Sequence, residues 1–215
     1  VSLWDYVGSR WQQLLLDSWM HVSAVVQCTI VATALGVLLG VAVYRSPLGS
    51  ALATALTSAI LTIPSFALLG LLIPVLGLGV RPTVTALVLY ALLPIVRNTI
   101  VGLSGVSPSV VDAARGIGMS RFGVLSRVEL RLAWPAILVG MRVSTQMLMG
   151  IAAIAAYAKG PGLGNVIFSG LSRVGSANAV NMALAGTVGV VVLALVLDGC
   201  YVLLGRLTTS RGIRG

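Results

Sequence analysis

Five stretches of twenty or more predominantly apolar residues divide this chain, at 22–44, 51–76, 83–103, 136–158 and 179–205. That length is what a helix needs to cross the roughly 30 Å hydrocarbon layer of a bilayer. Within lipid every backbone N–H and C=O must be satisfied inside the protein, so only helices and closed barrels can span. Barrel strands are about 9–11 residues long and alternate apolar with polar positions. These runs are longer and do not alternate. The expected fold class is all-α, a polytopic membrane bundle of about five transmembrane helices.

Composition points the same way. Of 215 residues 58% are hydrophobic and 9% charged, whereas a soluble chain carries roughly a quarter charged residues. The 25 glycines suit helices that approach closely through small side chains. A net charge of +9 raises the question of nucleic acid. The 14 basic residues are dispersed among apolar runs without interleaved aromatics, which argues for a positive-inside bias and against a nucleic-acid partner. Cys28 and Cys200 lie in different runs, without CxxC or metal spacing. Their depths differ by roughly 15 Å, too far for a disulfide. We read both as packing residues and expect no metal site.

An odd number of spans puts the termini on opposite sides. Arg45, Arg115, Arg121, Arg127, Arg131, Arg206, Arg211 and Arg214 fall on one side, and Arg10, Arg81, Lys159 and Arg173 on the other. Arg97 and Arg142 are intramembrane. The richer side is cytoplasmic, which places the N-terminus outside and both the 104–135 segment and the 206–215 tail inside. Residues 1–21 carry Trp4, Tyr6, Trp11 and Trp19 among Leu14, Leu15 and Leu16. They suit an extracytoplasmic interfacial segment, with His21 as an interfacial residue; a ligand-binding aromatic cluster is the alternative. The first run is longer than a signal-peptide core, so it reads as a spanning helix rather than a cleaved signal.

Between the third and fourth spans the chain reads SGVSPSVVDAARGIGMSRFGVLSRVELRLAWPAI, too polar to span. Ser107–Pro108 is a good helix start, Ser109 with Asp112 can form a capping box, and the helix should end at Gly116 or Gly118. A second helix can begin after Ser120, with Phe122, Leu125, Val128 and Leu132 as one apolar ridge between Arg121, Arg127 and Arg131. Two short helices around Ala113 and Ala114 make a compact knob, suited to a partner's groove. The alternative is an amphipathic loop lying on lipid headgroups.

Asp112-Ala113-Ala114, Gly118, Val128 and Leu130 resemble the EAA loop of binding-protein-dependent ABC importer permeases. The loop pattern is an acidic residue, two alanines, a glycine six positions after the acid, and a later aliphatic-x-Leu-Pro. Asp112 stands here for the usual Glu, and Arg131 stands where Pro is common, a Pro following at 135. Leu61-Thr62-Ile63-Pro64-Ser65, the run from Leu89 to Thr99, and Gly160 to Asn165 are similar to the glycine betaine, carnitine and choline branch. The resemblance implies a type I ABC importer transmembrane domain over 22–205. It also implies an ATPase-coupling site at Asp112, Ala113, Ala114, Arg115, Gly116, Gly118, Phe122, Leu125, Val128 and Leu130. Implied partners are an ABC ATPase dimer, a second permease, identical or homologous, and an extracytoplasmic substrate-binding protein, in the bacterial cytoplasmic membrane. ATP and Mg would be bound by the ATPase; this chain would hold no cofactor and be no enzyme.

Gly160-Pro161-Gly162-Leu163-Gly164 lacks the GK[ST] ending of a P-loop and reads as a tight re-entrant turn on the outer face, or a simple connector. Arg97, Arg142 and Asp198 lie at a similar depth, roughly 8–11 Å from the cytoplasmic face. Asp198 can pair with either arginine; otherwise the arginines snorkel independently. Pro64, Pro74 and Pro94 interrupt spans two and three, and Gln146, Met147, Met149 and Tyr157 can line a pathway beside them. The expected function is the translocation path of an ATP-driven importer for glycine betaine, choline, carnitine or proline, or for another small polar solute. A secondary transporter would need coupling-ion sites or an inverted repeat, and a non-transporting scaffold would not need kinked spans.

Overall fold

The computed structural model describes residues 2–209. The expected tail beyond residue 209, with Arg211 and Arg214, and Val1 lie outside the described residues. Nine α-helices make up the described residues, with no strand among them.

Helix α1 (Leu3–Val43) starts at a capping box in which Ser2 Oγ accepts from the Asp5 N–H and Asp5 accepts from the Ser2 N–H. Its 41 residues make a rod of about 60 Å, twice the hydrocarbon thickness. The sequence predicts a separate interfacial segment ending at residue 21; the structure instead runs that segment straight into the first span. No Gly or Pro interrupts residues 9–35, and polar side chains limit immersion in lipid without breaking a helix.

The second run is broken. Helices α2 (Pro47–Thr62) and α3 (Ser65–Leu76) meet at a 93° bend. Pro64 has no N–H to offer and forces Ile63 into extended backbone, as the residue before a proline requires. Helix α4 (Val80–Ser104) continues through Pro94, and α3 through Pro74. Of the three prolines expected to interrupt spans, only Pro64 does. The Asn98 side chain donates to the Pro94 carbonyl at 2.8 Å and Ser144 Oγ to the Ala91 carbonyl at 2.9 Å, so polar groups around the Pro94 turn find partners inside the bundle.

After α5 (Pro108–Gly116) the chain turns into α6 (Arg121–Val124), a π-helical turn (Leu125–Glu129), α7 (Leu130–Ile154) and a 3-10 turn (Ala155–Ala158). The sequence predicts a helix-turn-helix knob followed by a span from 136. Here only α5 is a separate short helix, and Arg121–Ala158 is one 38-residue stretch that carries Pro135 inside it. Short α8 (Gly164–Leu171) then packs on the start of α9 (Ala179–Thr208). Four helical stretches are long and apolar enough to cross a membrane, five if the bent α2–α3 pair counts as one span.

The core is built by α4, which packs most extensively against α7 and α1. Glycines set these contacts. A Cβ on Gly36 would meet Ile95 at 2.7 Å, one on Gly40 would meet Thr99 at 2.6 Å, and one on Gly140 would lie 2.8 Å from the Pro94 carbonyl and 3.1 Å from Ile95 Cα. Backbones this close gain dispersion where lipid supplies no hydrophobic drive. Gly140→Val is therefore expected to lower the melting temperature of the detergent-purified protein, whereas Gly150→Ala, with open space around its Cβ position, should leave it unchanged. Equal melting temperatures for both variants would refute this account of the core.

Candidate functional site: a π-turn end and a polar seam

One end of the bundle gathers α5, the π turn and the α1–α2 turn. On α5, Ala114 is buried at 7% exposure, while Asp112, Ala113, Arg115 and Gly116 are exposed. Ser107 occupies the N-cap position, its hydroxyl bonded to Ser109 Oγ at 2.8 Å. The capping box expected of Ser109 and Asp112 is replaced by an Asp112–Arg115 pair at 3.9 Å between exposed side chains, which contributes little in water. Gly118 has φ +86°, a left-handed conformation that glycine adopts without cost. Its N–H bonds the Arg115 carbonyl at 2.9 Å, and the Met119 N–H bonds Ala114 at 3.2 Å, which closes the helix end. Ser120 then caps α6 through the Gly123 N–H.

The expected apolar ridge is divided in two. Phe122 is 77% exposed, as are Ile117 (81%) and Val110 (41%), while Val124 takes the inward place at 1%. Leu125 and Leu130 pack against the buried Leu103, Ala133 and Ile137, and Val128 is half-buried. An extra residue in the π turn shifts the register that regular helical spacing predicts. Sequence reasoning passed over Glu129, the only glutamate in the chain and 4% exposed. An acid alone among arginines was the available signal, but its partners, Tyr44 and Arg45, lie 85 and 84 residues earlier.

A polar seam joins α1, α7 and α9 within the apolar region. Arg142 Nε and Nη2 each donate to Asp198 at 2.6 Å, a bidentate pair with side chains 44% and 31% exposed. Gln146 Nε2 donates to the Ala194 carbonyl at 3.0 Å and to Asp198 at 3.4 Å. Thr145 hydrogen-bonds Thr29 at 3.2 Å and Tyr201 at 2.9 Å. Of the two arginines offered to Asp198, Arg142 is the one it meets, and Arg97 lies exposed on α4.

The other expected pathway residues scatter. Pro64 sits at the α2–α3 break, where Tyr90 Oη donates to the Ile63 carbonyl at 2.6 Å. Tyr157 is half exposed and its ring lies 4.1 Å from that of Phe66. Met149 is buried in the core at 1% exposure, away from any open surface, and Met147 packs against the same cluster. His21 is fully buried rather than interfacial; its Nε2 hydrogen-bonds the Met149 carbonyl at 3.1 Å.

The Gly160–Gly164 turn packs on that histidine. Gly162 has φ +110°, and a Cβ there would meet His21 Nδ1 at 2.7 Å; Asn165 ties the turn by donating to the Gly160 and Gly162 carbonyls. Beside it a polar cleft of about 730 Å³ is lined by Tyr6, Arg10, Asp17, Arg173 and Asn178. No cluster of three metal-ligating side chains occurs among the described residues.

Against known proteins, the family model described as the binding-protein-dependent transport system inner membrane component matches residues 32–210. The glycine betaine/carnitine/choline transport system permease protein OpuCB of Bacillus subtilis is 34% identical over 214 residues, 100% of this chain and 97% of that protein. The osmoprotectant import permease protein OsmW of Salmonella typhimurium is 38% identical over 202 residues, 92% of each. Carnitine transport permease protein OpuCB of Listeria monocytogenes is 34% identical over 201 residues, 94% of this chain and 90% of that protein. Among solved structures, a chain of the inward-facing MetNI methionine ABC transporter matches with a TM-score of 0.79 at 19% identity, covering 92% of this chain and 96% of that one. That match is a likeness of fold.

A buried or half-buried ion pair holds its geometry only while both charges remain. Asp198→Asn is expected to lower solute transport by reconstituted protein several-fold while membrane insertion stays normal. Wild-type transport by this variant would remove the pair from the working site.

Proposed function

Since the chain belongs to the family of binding-protein-dependent transport system inner membrane components, we propose that it is the permease subunit of an ATP-driven importer of small compatible solutes such as glycine betaine, choline, carnitine or proline. The observation that carries this reading is near full-length similarity to permeases named for carnitine, for glycine betaine, carnitine and choline, and for osmoprotectants. The chain itself performs no catalysis. ATP and Mg are bound and ATP is hydrolysed by a separate ABC ATPase dimer, and an extracytoplasmic binding protein delivers the solute.

The π-turn end of the bundle is the coupling end, the face offered to the ATPase. Val110, Ile117 and Phe122 expose apolar surface beside the charges of Asp112 and Arg115. Such a knob fits a groove that buries the apolar tips and leaves the charged rim in water. Arg45, Arg115, Arg121, Arg127, Arg131 and Arg206 stand at this end of the helices and Arg10, Arg81, Lys159 and Arg173 at the other, which supports a cytoplasmic coupling end and an outer N-terminus. At the outer end, the cleft with Arg10, Asp17 and Arg173 offers both signs of charge to a docked binding protein.

A second permease, identical or homologous, completes the pathway along a shared axis between the two subunits. Pro64, Pro94, Arg97, Arg142, Gln146, Tyr157 and Asp198 are the residues proposed to shape or gate it. Rocking of the ATPases moves the α5 knobs and alternates access from one side to the other. Recognition of quaternary ammonium groups by aromatic cages belongs mainly to the binding protein.

Reconstitution with the neighbouring ATPase and binding protein is expected to give glycine betaine uptake that requires ATP. Uptake without ATP would favour a secondary transporter, and no uptake of any of these solutes would favour a scaffold. Within that system Gly118→Val places a β-branched residue at φ +86°, a strain of about 1–2 kcal/mol at the turn that presents α5. Insertion should persist while uptake falls relative to ATP hydrolysis; unaltered coupling would displace the turn from the docking site.

A further inference from the structure

Glu129 joins two parts of the coupling end that are remote in sequence. Its carboxylate accepts from Tyr44 Oη at 3.1 Å on both oxygens and from Arg45 Nη2 at 3.1 and 3.4 Å. The Arg45 guanidinium also lies 5.0 Å from the centre of the Tyr44 ring, within reach of a cation–π contact. Glu129 ends the π turn, and Tyr44 and Arg45 belong to the turn between α1 and α2. A carboxylate at 4% exposure is tolerable only while its charge and lone pairs stay matched. The two turns are therefore fastened at a point where separation is costly.

Beyond that fastening, α2 packs on α4 along one face and leaves the other exposed. Only Ala53 and Thr57 of its residues are buried, and its far end is the 93° break at Ile63–Pro64. There the Tyr90 hydroxyl holds the Ile63 carbonyl at 2.6 Å. An element fixed at one end, bent at the other and packed on one face only between them has the form of a lever arm.

We infer that Glu129 is a positioning residue that fastens the coupling end to the α1–α2 turn and carries displacement of α5 and α6 into α2, which pivots at Ile63–Pro64. This rests on the ATPase-coupled reading above and extends it to a route of transmission through named contacts. The presence of two donors from different side chains matters. Two donors on one carboxylate resist rotation as well as separation, so turning the π segment turns the α1–α2 corner with it.

The test uses the full complex with ATPase and binding protein in proteoliposomes. Glu129→Gln removes the charge with almost no change of shape, Tyr44→Phe removes one donor, and Glu129→Arg combined with Arg45→Glu restores opposite charges in exchanged places. Two quantities are read: ATP consumed per solute imported, and the distance between spin labels at Leu56 on α2 and Val139 on α7, both exposed, with and without a non-hydrolysable ATP analogue. In the wild type the analogue shifts the distance. In Glu129→Gln the shift is lost and ATP per solute rises roughly tenfold, a factor in line with losing a charge-assisted hydrogen bond. Tyr44→Phe shows a smaller change of the same sign, and the exchanged pair recovers part of both readouts.

A wild-type shift and ratio in Glu129→Gln overturn the inference. So does loss of assembly in Glu129→Gln together with unchanged coupling in Tyr44→Phe, which would leave Glu129 a purely structural role. A wild-type complex without ATP-dependent uptake overturns the functional reading instead.

Discussion

The contact between α4 and α7 is the constraint on which the remaining geometry depends. Gly140 lets α7 lie against the Pro94 carbonyl, and Gly102 lets α4 lie against Ala133 and Ala136. Neither approach is possible with a side chain in place. Because α6, the π turn, α7 and the 3-10 turn form one stretch from Arg121 to Ala158, at about 1.5 Å per residue the same rod that is locked to α4 reaches from the α5 end of the bundle to the Gly160–Gly164 turn. The α5 knob, the Glu129 contacts and the glycine turn at Gly160–Gly164 are thus referred to one rigid axis.

Helix α9 is joined to that axis differently. Only Ala179 and Gly186 along it are buried, and its first half is held by α8 through close approaches at Gly170 and Gly186. Its second half is held by polar contacts from α7: Arg142 to Asp198, Gln146 to the Ala194 carbonyl, Thr145 to Tyr201 and Trp134 to Thr208. In hydrocarbon such contacts hold because releasing them strands polar groups without water. The arrangement leaves Val188, Val191, Val192, Leu195 and Val196 exposed, a broad apolar face for lipid or for another subunit.

How much of this was legible in the sequence follows from which forces are local. The apolar runs, the intramembrane charges and the Asp198 partnership could be read because immersion in lipid acts on each residue where it stands. Helix boundaries at 21 and 135 could not. Asp17 and Arg131 change how far a segment enters the bilayer, yet neither stops a helix, so α1 and the α6–α7 rod pass through both points. The knob was legible as a polar patterned segment, with its turn at Gly118 and its cap at Ser120. The π turn that exposes Phe122 and buries Val124 was not, because one inserted residue leaves no compositional trace. Met149 and His21 were misplaced for a related reason: their burial depends on α1 and α7 meeting, a contact between residues 128 positions apart.

The three prolines show where local rules end. Pro64, Pro74 and Pro94 each remove one helical donor, yet the chain bends by 93° at the first and continues through the others. Around Pro94 the helix is gripped by α7, with Gly140 against the Pro94 carbonyl and Ser144 bonded to Ala91, so straight packing outweighs the missing bond. At Pro64 the Ile63 carbonyl, left outside both helices by the bend, accepts from the Tyr90 hydroxyl of α4. The bend is stable because α4 completes it, and α4 can do so because α7 holds α4 in place. The break that Pro64 sets in the second span is therefore held in place through the same glycine-mediated contact that fixes α7 against α4.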